Sequence, residues 1–250
     1  MHIVILGAGI SGLATGYYLK QKYPQGQISI VEQASRPGGQ IRSLSLDGFV
    51  IEQGPALLPC FGKGNALLGL LGELDLLSQT FAVTPSAQNF YFFQDHRLHQ
   101  VPQSLWGLLR SPLSSGILAA VVRDLLTDPI LHWNLTEESI SSFCIRHFGR
   151  RLSDRLIEPL IDGIWMGNFE KLSIQALFPL LAEFDVTHGS LIKGWLKHRP
   201  PVYGPLPPLP KSLSEARFIT LKHGTQTIID ALAATLGPSL RCESTVNKLI

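Results

Sequence analysis

Three glycines and one acid near the amino terminus carry the first legible chemistry. Gly7, Gly9 and Gly12 stand at G-x-G-x-x-G spacing directly after the apolar run Ile3-Val4-Ile5-Leu6. Glu32 follows Gly12 by 20 residues, at the end of a second apolar run, Ile28 to Val31. Each position has its own physical task. Gly7 permits a sharp turn, Gly9 lets backbone approach a pyrophosphate with no Cβ between them, and Gly12 lets a helix pack closely on the strand. The free N–H groups at the start of that helix then meet the anion. A carboxylate at position 32 accepts hydrogen bonds from ribose hydroxyls and repels a 2′-phosphate, which points to an adenine dinucleotide and away from NADP.

These residues need a strand over His2 to Leu6, buried on both faces, a helix from about Ile10 to Lys20 and a second strand over Ile28 to Val31. Arg36-Pro37-Gly38-Gly39 begins four residues after Glu32. The glycine pair allows a second close backbone approach, and Arg36 and Arg42 can reach phosphate oxygens. This two-part pattern is similar to the signature of FAD-containing amine oxidases, so the cofactor expected is FAD.

Composition narrows the field. Apolar residues make up 45%, charged residues 16%, and the net charge is +2. No basic block is present, so nucleic acid is not an expected partner. Three scattered cysteines, Cys60, Cys144 and Cys242, form no C-x-x-C pair, and the eight histidines form no H-x-x-x-H pair. Neither a disulfide framework nor a metal centre is expected. No leader precedes the first strand, and the most apolar stretch, Leu105 to Leu126, is interrupted by Arg110, Pro112 and Arg123. The expected location is therefore cytoplasmic, with room left for peripheral contact at the inner face of a membrane.

Further along, Arg42 to Glu52 reads as a hairpin around Asp47-Gly48, leading into Gly54-Pro55. Asn65 to Leu77 reads as a helix, and Phe90 to Leu98 as an aromatic hairpin turning at Asp95-His96. Helices follow over Leu105 to Leu109, Leu113 to Leu126, Glu137 to Phe148 (capped by Thr136, with Glu137 and Glu138 in its first turn) and Leu152 to Trp165. Gly163 to Asn168 breaks the pattern, as a pocket wall or a plain helix end. Pro200 to Pro210 is extended and proline-rich. Phe218 to Leu221 reads as a strand, Gly224-Thr225 starts a helix to about Leu236, and Leu240 to Cys242 and Val246 to Ile250 read as strands. The segments expected are 1–80 (cofactor binding, first part), 81–102 (hairpin), 103–199 (helical), 200–216 (proline-rich connection) and 217–250 (return to the cofactor-binding domain).

In order and spacing the whole chain resembles the amino-terminal half of the protoporphyrinogen oxidase family. The resemblance rests on Ile5 to Ala14, Arg36 to Ser43, Glu52-Gln53-Gly54-Pro55, Ala87-Gln88-Asn89, Glu158-Pro159-Leu160, Gly163 to Asn168, Leu172-Ser173-Ile174, Phe178-Pro179, Thr187 to Leu191 and Leu221 to Gly224. It implies an α/β fold: a Rossmann-like FAD-binding domain with an interleaved α+β substrate region and a helical, membrane-facing insertion. It implies oxidation of a porphyrinogen, with molecular oxygen as acceptor, in haem biosynthesis; the cofactor carries the redox chemistry. A homodimer is compatible with it. FAD contacts are implied at Gly7, Ala8, Gly9, Ile10, Ser11, Gly12, Glu32, Gln33, Arg36, Gly38, Gly39, Gln40, Gly54, Pro55, Ala56, Leu57 and Val246, and a substrate contact at Gly167. No side-chain acid or base and no metal ligand is nominated.

Two positions depart from the family's pattern. Ala56 stands where a polar residue is frequent, and Phe90 where several members carry an arginine for a propionate. The carboxylate anchor is thus unassigned, and protoporphyrinogen and coproporphyrinogen both stay open as substrates. The family's chains continue past the position of Ile250 and return to complete the flavin side of the site, so a truncated chain is expected. The rivals are another flavin amine oxidase or desaturase, and an inactive FAD-binding remnant.

Overall fold

The structure is a computed structural model that describes residues 1–60, 65–94, 96–101, 116–127, 137–199 and 208–248. The chain forms two compact units, one from residues 1–88 and 201–250, the other from 89–200. Both cofactor-binding segments read from the sequence fall in the first unit. The aromatic hairpin and the helices fall in the second. Residues 81–88 join the first unit because Thr80–Ala82 pairs there with a late strand.

In the first unit, β1 (His2–Leu6), α1 (Ile10–Lys22) and β2 (Gln27–Val31) form the expected parallel crossover, in register from His2 opposite Gln27 to Leu6 opposite Val31. Next come the hairpin β3 (Ser43–Leu46) and β4 (Phe49–Glu52), then β5 (Leu58–Pro59), α2 (Asn65–Glu73) and β6 (Thr80–Ala82). Asp47 and Gly48 both take positive φ, the backbone sense that a two-residue hairpin turn requires. α2 stops at Glu73, and a 3-10 turn over Leu77–Gln79 replaces the expected last helical turn.

The second unit supplies β7 (Tyr91–Gln94), β8 (Arg97–Gln100), α3 (Ile117–Leu126), α4 (Ile140–Phe148), α5 (Arg150–Leu152), α6 (Glu158–Trp165), α7 (Ile174–Leu177), α8 (Pro179–His188) and α9 (Leu191–Lys197). A π-helical turn over Ser153–Ile157 joins α5 to α6. The chain then re-enters the first unit as α10 (Lys211–Ser214), β9 (Phe218–Leu221), α11 (Gln226–Leu236) and β10 (Leu240–Arg241). β10 pairs parallel with β2, giving the order β1-β2-β10, and β9 lies between β5 and β6. Leu13, Ile30, Leu71, Ile219, Ile229, Leu232 and Leu236 make the centre of this unit's core.

Four expectations are corrected. β1 is not buried on both faces: among the described residues Val4 is 51% and Leu6 49% exposed, while Ile5, on the opposite face, packs against the core. α4 begins at Ile140 rather than Glu137, because Ser139 takes the cap and accepts the Ser142 N–H; Glu138 precedes the helix and pairs with Arg146 instead. The helix read over Leu152 to Trp165 starts at Arg150, since Gly149, with φ of 81°, ends α4 and lets the chain turn straight into α5. Residues 246–248 form no strand, as they pair with none of the described strands. Leu105 to Leu109, Asp95, Thr136 and residues 200–207 lie outside the described residues. Among those described, no helix is long and apolar enough to cross a membrane.

Inside the second unit, Ile140, Phe143, Ile161, Phe169, Ile174 and Phe184 make the main apolar cluster. Beside it runs a buried polar chain. Asp124 accepts hydrogen bonds from Ser190 Oγ (2.7 Å), the Leu191 amide (3.0 Å) and the Ile192 amide (3.1 Å). His147 Nδ1 lies 2.6 Å from Asp124 Oδ1, so that nitrogen carries a proton and donates it. His147 Nε2 has an acceptor at 3.1 Å, Asp185 Oδ1, and a donor at 3.0 Å, Arg146 Nη1; either ring state finds a partner. Arg146 donates to Asp185 and to Glu138, at 2.7 Å in each case. Burial alone would raise the Asp124 and Asp185 carboxyls, yet both are held below the ordinary range. Ser190 and the two amides outweigh burial at Asp124, and His147 and Arg146 at Asp185.

Candidate functional site

The glycine turn is built by the β1–β2 pair. The Gly7 N–H donates to the Val31 carbonyl at 2.7 Å, which carries the ladder one residue past β1. Gly7 has φ of +95°, and Gly9, still extended, precedes α1 with no side-chain cap. The first N–H groups of α1 are therefore left for another acceptor. A Cβ on Gly12 would overlap the Gly7 carbonyl oxygen, so the protein itself demands glycine there. Gly9 differs: among the described residues no atom lies within 4 Å of where its Cβ would stand. Packing does not require a glycine at 9, and the open backbone leaves room for a group approaching from outside. A pyrophosphate over the α1 N-terminus fits this cradle.

The second glycine pair lies against the first. Gly38 and Gly9 form a parallel bridge, the Gly38 N–H donates to the Ala8 carbonyl at 2.8 Å, and a Cβ on Gly39 would sit 3.3 Å from Gly9 Cα. Two motifs separated in sequence thus make one backbone surface. Arg36 holds the second loop in shape by donating to the carbonyls of Pro37, Ile41 and Gly39 at 3.0–3.1 Å.

Glu32 closes the site from β2. Its carboxylate accepts the Ala34 N–H at 2.9 Å and the Ala8 N–H at 2.7 Å, so it braces the turn that contains Gly7. The Ala34 and then the Ala8 amide bonds lower its pKa, outweighing burial, with smaller help from the Gln33 amide and Arg36, and an ionised carboxylate there can accept from a ribose hydroxyl as well. Ser244 N–H donates to the Glu32 carbonyl and Glu243 N–H to that of Ala34, which brings the segment carrying Val246 alongside Glu32 and Gln33. At the other end, Gln53 N–H donates to the Arg42 carbonyl, and Gly54 packs so tightly on the Gln40 carbonyl that no Cβ fits. The structure therefore gathers 7–12, 32–33, 36–40, 54–57 and the segment of Val246 into the first unit. Gly167 belongs to the second, where Met166 takes φ of 49° and a Cβ on Gly167 would stand 2.9 Å from the Leu172 side chain.

Sequence reasoning missed one member of this region. Glu52 joins Ser43 and Thr225. Its sequence signal is its place in Glu52-Gln53-Gly54-Pro55, as an acid that ends a strand two residues before Gly54.

The family model for flavin-containing amine oxidoreductases matches residues 10–249. The chain belongs to the flavin-containing amine oxidoreductase family. Its cofactor is FAD, and the two glycine motifs with Glu32 are the groups that fit it. Protoporphyrinogen oxidase of Bos taurus is 36% identical over 205 residues, covering 78% of this chain and 42% of that protein. Coproporphyrinogen III oxidase of Staphylococcus aureus is 33% identical over 270 residues, covering 99% and 54%. The chain spans about half the length of the curated relatives it matches. A solved structure, a putative protoporphyrinogen oxidase from Exiguobacterium, superposes with a TM-score of 0.69 at 24% identity, over 97% of this chain and 52% of that one. This last likeness supports the fold.

Glu32→Gln tests the brace. One amide donor would then face the new NH2 group, and the charge at the α1 N-terminus is lost. FAD affinity measured by flavin fluorescence titration is expected to fall about tenfold or more. Unchanged affinity would show that the carboxylate is dispensable.

Proposed function

We propose that this chain is the cofactor-binding and substrate-facing part of an FAD-dependent porphyrinogen oxidase that uses molecular oxygen in haem biosynthesis. The observation that carries this reading is the single backbone surface made by Gly7 to Gly12 and Gly38-Gly39, in a chain similar over 78% of its length to a protoporphyrinogen oxidase and over 99% to a coproporphyrinogen III oxidase. When bound, FAD supplies the hydride-accepting chemistry. The residues of this chain hold the pyrophosphate at α1, the ribose at Glu32 and the flavin side along Gly54 to Leu57. Gly167 is the substrate contact this reading assigns.

The working location is the cytoplasm, with peripheral contact at the inner face of a membrane. Exposed Leu126, Trp195 and Leu196 in the second unit, with Lys193 and Lys197 on the same helix as the latter two, support such contact.

The test is turnover by the protein supplied with FAD and air. Protoporphyrinogen IX and coproporphyrinogen III are offered beside a panel of amines and polyenes, and porphyrin fluorescence and hydrogen peroxide are followed. Porphyrin formation from one or both porphyrinogens is expected. Turnover confined to the panel would replace this reading with another flavin oxidase, and failure to retain any flavin would leave an inactive remnant.

A further inference from the structure

Glu52 ends β4 opposite Ser43, the first residue of β3. Its carboxylate accepts three hydrogen bonds: from Ser43 Oγ at 2.7 Å, from Thr225 Oγ1 at 2.8 Å and from the Thr225 N–H at 2.7 Å. Ser43 Oγ in turn accepts the Gln226 N–H at 3.0 Å. Thr225 precedes α11 and makes no cap bond with its own side chain. The amino end of α11 is thus capped by a carboxylate and a hydroxyl from a distant hairpin. Gly224, with φ of +88°, makes room for them, since a Cβ there would overlap Ser43 Oγ and stand 3.0 Å from Glu52 Oε1.

The junction bears on the cofactor surface from two directions. α11 carries Ile229, whose Cγ2 lies 3.2 Å from where a Cβ on Gly38 would stand, so the helix backs the second glycine loop. On the other side, Gly54 stands two residues beyond Glu52, with Gln53 bonded to Arg42 and Gly54 pressed on Gln40. The carboxylate therefore sets strand 49–52 against the helix that supports Gly38, and with it the exit path of 54–57.

We infer that Glu52 is a positioning residue for the cofactor: it holds the Gly54–Leu57 segment in register for the flavin half of FAD, while the ADP half is held by Gly7 to Gly12 and by Glu32, whose bonds to the Ala8 and Ala34 amides do not pass through Glu52. This inference rests on the FAD-binding reading above and deepens it. A carboxylate accepts from all three at once, and its charge strengthens each bond. Glutamine could keep the Thr225 N–H only by turning its NH2 group to the two hydroxyls, which must then reverse from donors to acceptors, and the charge is lost.

The experiment compares FAD and ADP binding to the whole chain, wild type against Glu52→Gln and the milder Ser43→Ala, by flavin fluorescence titration and calorimetry. In Glu52→Gln, FAD affinity is expected to fall about tenfold or more, while ADP affinity stays within about twofold. Ser43→Ala should show the same split more weakly, and it carries the test if Glu52→Gln does not fold. A parallel loss of FAD and ADP affinity would reduce Glu52 to a general structural role and overturn the inference. So would FAD binding equal to wild type. Wild-type protein that binds ADP but not FAD, or neither, would instead remove the FAD reading itself.

Discussion

Gly12→Ala is expected to abolish FAD binding. The added methyl would overlap the Gly7 carbonyl oxygen, which is backbone and cannot turn aside as a side chain can. Relief requires α1 to lift from β1, and that displaces the N–H groups that meet the pyrophosphate. Overpacking of this kind costs about 1–3 kcal/mol of stability. The loss of binding should be larger still, because the anion site is the part that moves. Gly9→Ala is the informative comparison. There the protein has space for a methyl among its described residues, so the thermal midpoint should hardly change, yet FAD should bind much more weakly because the methyl stands where the cofactor approaches. Flavin absorbance retained after gel filtration, beside a thermal melt for each variant, makes the measurement. FAD retained by Gly12→Ala, or wild-type affinity in Gly9→Ala, would contradict the site described above.

Asp124→Asn should have the largest effect on the helical unit. Four donors converge on the Asp124 carboxylate: Ser190 Oγ, the amides of Leu191 and Ile192, and His147 Nδ1. Asparagine offers one acceptor oxygen and turns an NH2 group toward the remaining donors. His147, Asp124 and Ser190 have no measurable exposure, so water cannot replace what is lost. Each buried donor left without its acceptor costs about 1–3 kcal/mol. All four tryptophans, Trp106, Trp133, Trp165 and Trp195, lie between residues 89 and 200, so their fluorescence during urea unfolding reports on this unit. The midpoint should fall sharply, and a variant that unfolds with the wild type would refute the role.

The same carboxylates set an acid limit. Asp124 and Asp185 both have lowered pKa values in the folded protein. Their contribution is complete above the unfolded carboxylate value of about 4 and is lost as pH falls below it through the folded values. The tryptophan-reported unit should therefore lose stability on acidification below about pH 4, and less steeply in Asp124→Asn.

What could be read from the sequence was local. Gly7, Gly9, Gly12 and Glu32 announce themselves because a turn, a helix start and a strand end recur at fixed spacing along a short stretch. Asp47-Gly48 does so because few residue pairs accept positive φ twice. The exposure of Val4 and Leu6 could not be read, since burial of a strand face depends on what packs over it, and an apolar run looks the same whether one face is covered or both. α4 starts later than its sequence suggests because Glu137 and Glu138 suit a first helical turn, while Glu138 does more by pairing with Arg146. Asp124, His147, Asp185 and Ser190 are dispersed over three helices and a cap. Their one trace is an acid within the apolar helix Ile117–Leu126. Glu52 stands in a motif that was noticed for its glycine, and its partners Thr225 and Gln226 come from the far end of the chain.

The central strand β2 has β1 on one side and β10 on the other, and the second unit is threaded between them in the chain. During synthesis this has an ordered consequence. At about 5–20 residues per second, roughly ten to forty seconds separate the appearance of Glu32 from that of Arg241, whose carbonyl accepts the Glu32 N–H. The helical unit, contiguous in sequence, emerges whole within that interval and can form before the dinucleotide platform has its last strand. Over the same interval the edge of β2 that β10 later takes stands open, and a chaperone or a partner strand would meet that edge only then.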